Sequence, residues 1–194
     1  EKYKQELPNY NIIEGGVGIH NQRMAISNFA SENEIIVSLD DDITDIFENG
    51  VSISNLHYFI IDTINFLHAN HLTLAGIYPI NNPFFTKNTI TLDNRFLIGQ
   101  FKIFVNKKLA EKREYQLLED YENTIKHYKY SGGVLRYNYI TLKANYKTLK
   151  GGLKEYRTLE KKVDEVQRFV KQYSNYAKSK KQGLEIQLIK NPTT

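Results

Sequence analysis

The string EIIVSLDDDI, residues 34–43, joins an apolar run to three consecutive carboxylates, Asp40, Asp41 and Asp42. Adjacent carboxylates repel one another and add nothing to packing. A compensating charge is therefore expected, and a divalent cation supplies it most simply. Alternate side chains on a strand share a side. Asp40 and Asp42 are thus expected to converge on one site while Asp41 turns away. Hard oxygen ligands suit Mg²⁺ or Mn²⁺, ions that keep water and complete their shell from substrate phosphates. Two carboxylates are too few to cage calcium, and Asp45 stands where an EF-hand loop has its glycine. The alternative is a solvated acidic loop in which Asp42 or Thr44 caps the following turn.

Two other strings carry chemistry. EGGVGIHNQRMAIS, residues 14–27, sets Gly15, Gly16 and Gly18 ahead of a helix whose first turn ends near Arg23. Exposed amides and the positive end of a helix dipole favour a phosphate there. The spacing is neither a dinucleotide fingerprint nor a P-loop, so a plain tight turn is the competing reading. LLEDYENTIKHY, residues 117–128, places Glu119 and Asp120 at a helix start. Both suit the helix dipole there, and either could serve as the carboxylate base that a weak hydroxyl nucleophile needs. His20, His57, His68, His71 and His127 form no H-E-x-x-H, and no G-x-S-x-G elbow is present.

Composition removes other classes. The chain has 194 residues, a formal net charge of +4 and no cysteine. Disulfides, thiolate metal sites and cysteine nucleophiles are excluded, and a reducing compartment such as the cytoplasm is expected. No apolar run reaches the ~18 residues that span a bilayer. The closest, Tyr58 to Leu67, is interrupted by Asp62 and Asn65. The mild basic excess is compatible with nucleic acid and equally with a solvated face.

The elements that must position these groups alternate between strand-like and helix-like, which predicts an α/β fold. Strands are expected at Tyr10–Ile13, Glu34–Leu39 (buried), Thr73–Tyr78 and Val134–Tyr137, with a long strand or hairpin arm over Arg95–Val105. Helices are expected at Ile19–Ala30 and Asp120–Tyr128. A third carries Ile53, Leu56, Ile60, Ile64 and Leu67 on one face. Leu159, Val163, Val166, Val170 and Tyr173 form the stripe of a C-terminal amphipathic helix with a Lys-rich outer face. Gly183 is expected to stop it before a final edge strand over Leu184, Ile186 and Leu188.

Taken in order, these features resemble a GT-A glycosyltransferase of the inverting, family-2-like group. The matching pattern is the glycine turn, the helix carrying Arg23, a strand ending in D-x-D and a downstream E-D pair. The series IYPINNPFF, TLDNRFLIGQF, LLEDYENTIKHYKYSGGVLRYN and NYKTLKGGL narrows it. It is similar to the glycosyltransferases that accompany TET/JBP-type oxygenases and those of large DNA viruses and phages. The resemblance spans Tyr10 to Leu153 and implies a single domain over residues 1–194. Residues 155–194 would be a helix–strand extension packed on it.

The resemblance implies a mixed central sheet flanked by helices and a metal-dependent transfer from a nucleotide sugar, with UDP-sugar as the expected donor. Asp42 would ligate Mn²⁺ or Mg²⁺ at the diphosphate, and Asp40 would share the metal or contact the ribose. Asp41, Gly16 and Arg23 would lie on the donor side. Lys150, Gly151 and Gly152 would form a phosphate-side loop. Asp120 would be the catalytic base and Glu119 would help position the acceptor. That acceptor would be a hydroxymethylated pyrimidine in DNA, with Phe84, Phe85 or Tyr137 stacking on the flipped base, or a viral or surface glycan. The family carries a further strand and helix before the segment matching Tyr10, so either the chain is shortened or the nucleotide base is held differently. A viral protein would work in the host cytoplasm. An inactive nucleotide- or DNA-binding module and a nucleotidyltransferase are the other classes compatible with these residues.

Overall fold

The structure is a computed structural model, and it describes residues 2–145 and 158–192. It is a mixed α/β fold whose central mixed sheet is flanked by helices. A short helix α1 (Lys2–Glu6) and an irregular stretch precede α2 (Ile19–Phe29). The strand expected at Tyr10–Ile13 does not form: Tyr10 and Ile13 are exposed, and among the described residues no strand pairs with this stretch. Asn33, at φ 69°, turns the chain out of α2 into β1 (Ile35–Leu39).

After the acidic triplet the chain makes β2 (Ile43–Glu48) and β3 (Val51–Ser52). Asn55 then caps α3 (Leu56–Ala69) by accepting from the Tyr58 amide at 2.9 Å. Ile53 precedes this helix rather than joining its face, but still packs on the core. The remaining strands of the main sheet are β4 (Leu74–Ile77), β5 (Ile90–Thr91), β6 (Phe101–Val105) and β7 (Leu135–Tyr137). Strand β8 (Ile140–Ala144) completes a smaller sheet. The five-stranded sheet has the order β1-β6-β4-β7-β5, with only β4 and β7 parallel, and the three-stranded sheet runs β3-β2-β8. The long strand expected over Arg95–Val105 is confined to Phe101–Val105. Arg95 is held in a turn by Asp93 at 2.6 Å, and Gly99 is pressed against another element.

Alternation along β6 fixes the two faces of the sheet. Phe101 and Ile103 point into a cluster with Leu67, Ala75, Ile77 and Leu135, which α3 covers. Lys102 and Phe104 point to the opposite face, under α5 (Glu119–Ser131). The short helix α4 (Lys108–Glu111) leads towards α5. Gly132, in the left-handed region at φ 75°, ends α5. Strand β1 lies at the edge of the sheet and is half-exposed rather than buried.

Helix α6 (Leu159–Gln172) begins at the Thr158 cap, and Phe169 and Val166 enter the core with no exposed surface. Its Lys-rich outer face is solvent-exposed, as the pattern predicts. The helix ends at Gln172, well before Gly183. Gly183, at φ 87°, instead serves the turn between β9 (Ala177–Lys180) and β10 (Glu185–Leu188). Among the described residues the final strand pairs only with β9, in a two-stranded sheet of its own, and is not an edge of the main sheet. Tyr115, Ile125, Phe169, Tyr173 and Ile186 pack in one cluster, which fastens α6 and this hairpin to α5.

Candidate functional site

Strand β1 delivers the acidic triplet to a corner where the two sheets meet. The strand ends at Leu39, so the triplet is not a continuation of it, and Asp41 and Asp42 lie in a turn. Alternation therefore does not set their directions. The Asp40 amide donates to the Gln100 carbonyl at 2.9 Å, extending the β1–β6 ladder by one bond. The Asp42 carbonyl accepts from the Asn145 amide at 2.9 Å, at the start of the β2–β8 ladder. Asp41 is exposed and accepts from the Tyr3 hydroxyl of α1 at 2.5 Å.

Arg23 reaches this corner from the middle of α2 and is only 7% exposed. Its Nη2 donates to Asp40 Oδ1 at 2.7 Å and its Nη1 to Ser38 Oγ at 3.4 Å. Its Nε lies 3.7 Å from Glu119 Oε1. The first turn of α5 thus joins the acidic corner through a single guanidinium. Arg113 grips the other oxygen of Glu119, at 3.2 Å from Nε. Arg113 is itself held by Glu111 at 2.8 Å and by the Ala110 carbonyl at 2.9 Å. Glu111 takes bonds from His127 Nε2 at 2.5 Å and Asn123 Nδ2 at 3.0 Å, while Lys102 Nζ donates to Asn123 Oδ1 at 2.9 Å.

Electrostatics divide this cluster. Burial alone would raise the Glu119 carboxyl, yet Lys102, Asp120, Arg113 and Arg23 together hold it down at about 2. Burial would likewise raise Glu111, but Arg113, the His127 hydrogen bond and Lys102 outweigh it and hold Glu111 well below the usual carboxylate range. Asp120 goes the other way: burial, then the charge of Glu119, raises it well above an ordinary aspartate. Burial lowers both Lys102 and His127. His127 is therefore neutral, with Nε2–H donating to Glu111 and Nδ1 facing the Thr73 hydroxyl at 2.8 Å.

Buried polar atoms in folded chains are normally hydrogen-bonded, so the exceptions are informative. Among the described residues six buried side-chain atoms have no partner, and Arg23 Nε, Asp42 Oδ1 and Asp120 Oδ1 are three of them. A fourth, His20 Nδ1, lies beside Gly18, the uncapped N-terminus of α2. Gly16 is exposed just ahead of that terminus. Three of the side chains singled out by their chemistry, Arg23, Asp42 and Asp120, are thus left with unmet bonding capacity.

Of the residues implicated by sequence, the structure draws Arg23, Asp40, Glu119 and Asp120 together. Asp42 is adjacent in the chain, and Asp41 faces outward to Tyr3. Lys150, Gly151 and Gly152 lie outside the described residues. Among the described residues no group of three or more His, Asp or Glu could hold a metal ion. Asp42 has an uncommitted enclosed oxygen, which suits one ligand to a hard cation. Asp40 fits less well as its partner, because Arg23 already occupies its Oδ1. Tyr137 is 9% exposed and packs on Phe59, so it offers no open stacking face, whereas Phe84 and Phe85 are exposed. Sequence reasoning missed Lys102, Glu111 and Arg113, whose ordinary spacing hides their burial. It also set His127 aside as one of five scattered histidines. No protein-family model matches the sequence, and no curated protein or solved structure matches the chain.

Proposed function

We propose that the chain is a GT-A-type glycosyltransferase that moves a sugar from a nucleotide-sugar donor, in the first instance a UDP-sugar, to an acceptor hydroxyl with inversion. The observation that carries this reading is the meeting of Asp40, after β1, and Glu119, next to Asp120 on α5, at the buried Arg23 guanidinium, with unpartnered buried atoms left on Arg23, Asp42 and Asp120. The ordered motif series resembling that family supplies the reaction type.

In this reading Asp42 would contribute one oxygen ligand to Mn²⁺ or Mg²⁺, and the ion would supply positive charge to offset that of the donor diphosphate. Arg23 keeps Asp40 in place, and Asp40 accepts from a donor ribose hydroxyl. Asp120 is the base. The acceptor O–H proton passes to its carboxylate as the acceptor oxygen bonds to the sugar C1. The C1–O bond to the β-phosphate breaks, and its electron pair leaves with the diphosphate. A carboxyl whose proton affinity is raised is better matched to a weakly acidic hydroxyl. Exposed Phe84 and Phe85 suit either a sugar ring or an unstacked base, so a glycan and a hydroxymethylated pyrimidine in DNA are both admitted as acceptors. The competing reading, a binding module without catalysis, takes support from the commitment of Asp40 to Arg23.

A thermal-shift panel of nucleotide sugars with and without Mn²⁺ tests the proposal. Stabilisation that requires both ligands, and that Asp42→Ala abolishes, is expected. Stabilisation unchanged in Asp42→Ala would remove the metal from Asp42. No stabilisation by any nucleotide sugar would remove the transferase reading.

A further inference from the structure

Two carboxyls on successive residues cannot both ionise cheaply in a buried site. The geometry around Glu119 and Asp120 is lopsided. Both oxygens of Glu119 face guanidinium groups, Arg113 at 3.2 Å and Arg23 at 3.7 Å. Among the described residues no cation contacts Asp120, whose Oδ1 is enclosed against the backbone of Gly99 without a partner. Asp120 nevertheless remains the more exposed of the two.

Arg113 is fixed from behind. Its side chain has no exposed surface, and its three nitrogens bond Glu119, Ala110 and Glu111. Glu111 is fixed in turn by His127 and Asn123, and His127 by Thr73 on the way into β4. A continuous buried path therefore runs from Thr73 through His127, Glu111 and Arg113 to Glu119.

We propose that Arg113 is a positioning residue: anchored by Glu111 and His127, it holds Glu119 as the ionised member of the Glu119–Asp120 pair, so that a proton entering the pair is taken up by Asp120, at the open side of the site. The role given to Asp120 rests on the glycosyltransferase reading, but the place of the proton does not. The charged groups facing the pair are Arg23 from α2, Lys102 from β6, and Arg113 with Glu111 behind it. Asp40 lies beyond Arg23. Removing Arg113 takes away the only one of these cations that touches both Glu111 and Glu119. The proton is then expected to redistribute towards Glu119.

The test is a carboxyl-detected ¹³C NMR titration of the full chain with labelled Asp and Glu, without donor or metal. Glu119→Gln and Asp120→Asn serve to assign the two signals. In the unmodified chain Asp120 is expected to titrate well above an ordinary aspartate, while Glu119 stays ionised into strong acid. In Arg113→Met the Glu119 midpoint is expected to rise by about one pH unit or more, the usual effect of an adjacent cation. The Asp120 midpoint is expected to fall. Arg113→Lys keeps the charge but cannot grip Glu111 and Glu119 together, so its Glu119 shift is expected to be upward and smaller. Were Arg113→Met not to fold, an unmoved Glu119 in Arg113→Lys would overturn the proposal. So would unchanged midpoints in folded Arg113→Met, or a proton found on Glu119 in the unmodified chain. Because no donor is added, these outcomes are separate from the nucleotide-sugar panel, and either reading can fail alone.

Discussion

Gly99 lies so close to Asp120 that a Cβ built on it would sit 2.1 Å from Asp120 Oδ1 and 2.9 Å from Cγ. The loop before β6 and the first turn of α5 meet there without room for a methyl group. Gly99→Ala is expected to rotate the Asp120 carboxyl away while leaving every charge in place. The cost in stability should be about 1–3 kcal/mol, as for other overpacked interiors. Urea unfolding measures it, and the Asp120 carboxyl signal should move towards the ordinary aspartate range.

Arg23 neutralises two carboxylates that belong to different elements, Asp40 and Glu119. Arg23→Met keeps much of the volume and removes the charge. Stranding buried charges costs about 3–5 kcal/mol when a partner is deleted. A loss of that size by urea unfolding is expected, against well under 1 kcal/mol for Arg168→Met on the exposed face of α6, whose pair with Asp164 is surface-screened.

Stability should fall in acid, with the direction following from the shifts. Glu119, at about 2, and Glu111 are depressed in the folded chain, so their contribution is present above the ordinary glutamate value of 4.5. It is lost as pH falls from there through the folded values. His127, lowered from 6.5 by burial, adds a loss that begins below its ordinary value. Asp120 opposes this: its raised value favours the folded chain below 3.8, and that contribution disappears as pH rises through the folded value. Urea midpoints between neutral pH and pH 3 are expected to decline. Asp120→Asn should raise stability most at the neutral end.

Phe169 has no exposed surface and meets Tyr115, Tyr121 and Tyr173 at ring-centroid distances of 5.0, 6.4 and 4.8 Å. Phe169→Ala is expected to cost about 3–5 kcal/mol. It should loosen α6 and the β9–β10 hairpin ahead of the main sheet. Amide exchange would show protection lost first at Ile186 and Leu188.

Periodicity made the helices legible. The stripe through Leu56, Ile60, Ile64 and Leu67 and that through Val166 and Tyr173 mark α3 and α6 because one face of each is apolar. Strands were harder to read. Strand β2 alternates but opens with Ile43-Thr44-Asp45, which reads as the tail of the acidic loop, and β3 and β5 have two residues each. Gly183 misled because a glycine that ends a helix and one that turns a hairpin look alike in sequence. At the site, sequence reading singled out Arg23, Asp40, Glu119 and Asp120, which the fold brings together. The Lys102–Glu111–Arg113–His127 interior was illegible, since charged residues in FKIF and AEKRE ordinarily face water.

Asp40 is hydrogen-bonded into the ladder of the five-stranded sheet and Asp42 into that of the three-stranded sheet, with Asp41 alone between them. The spacing of the two carboxylates is therefore a gauge of how the two sheets are docked. Sliding one sheet against the other opens or shuts a calliper whose jaws are Asp40 and Asp42. Anything that spans both jaws fastens the two sheets to each other as well as to itself.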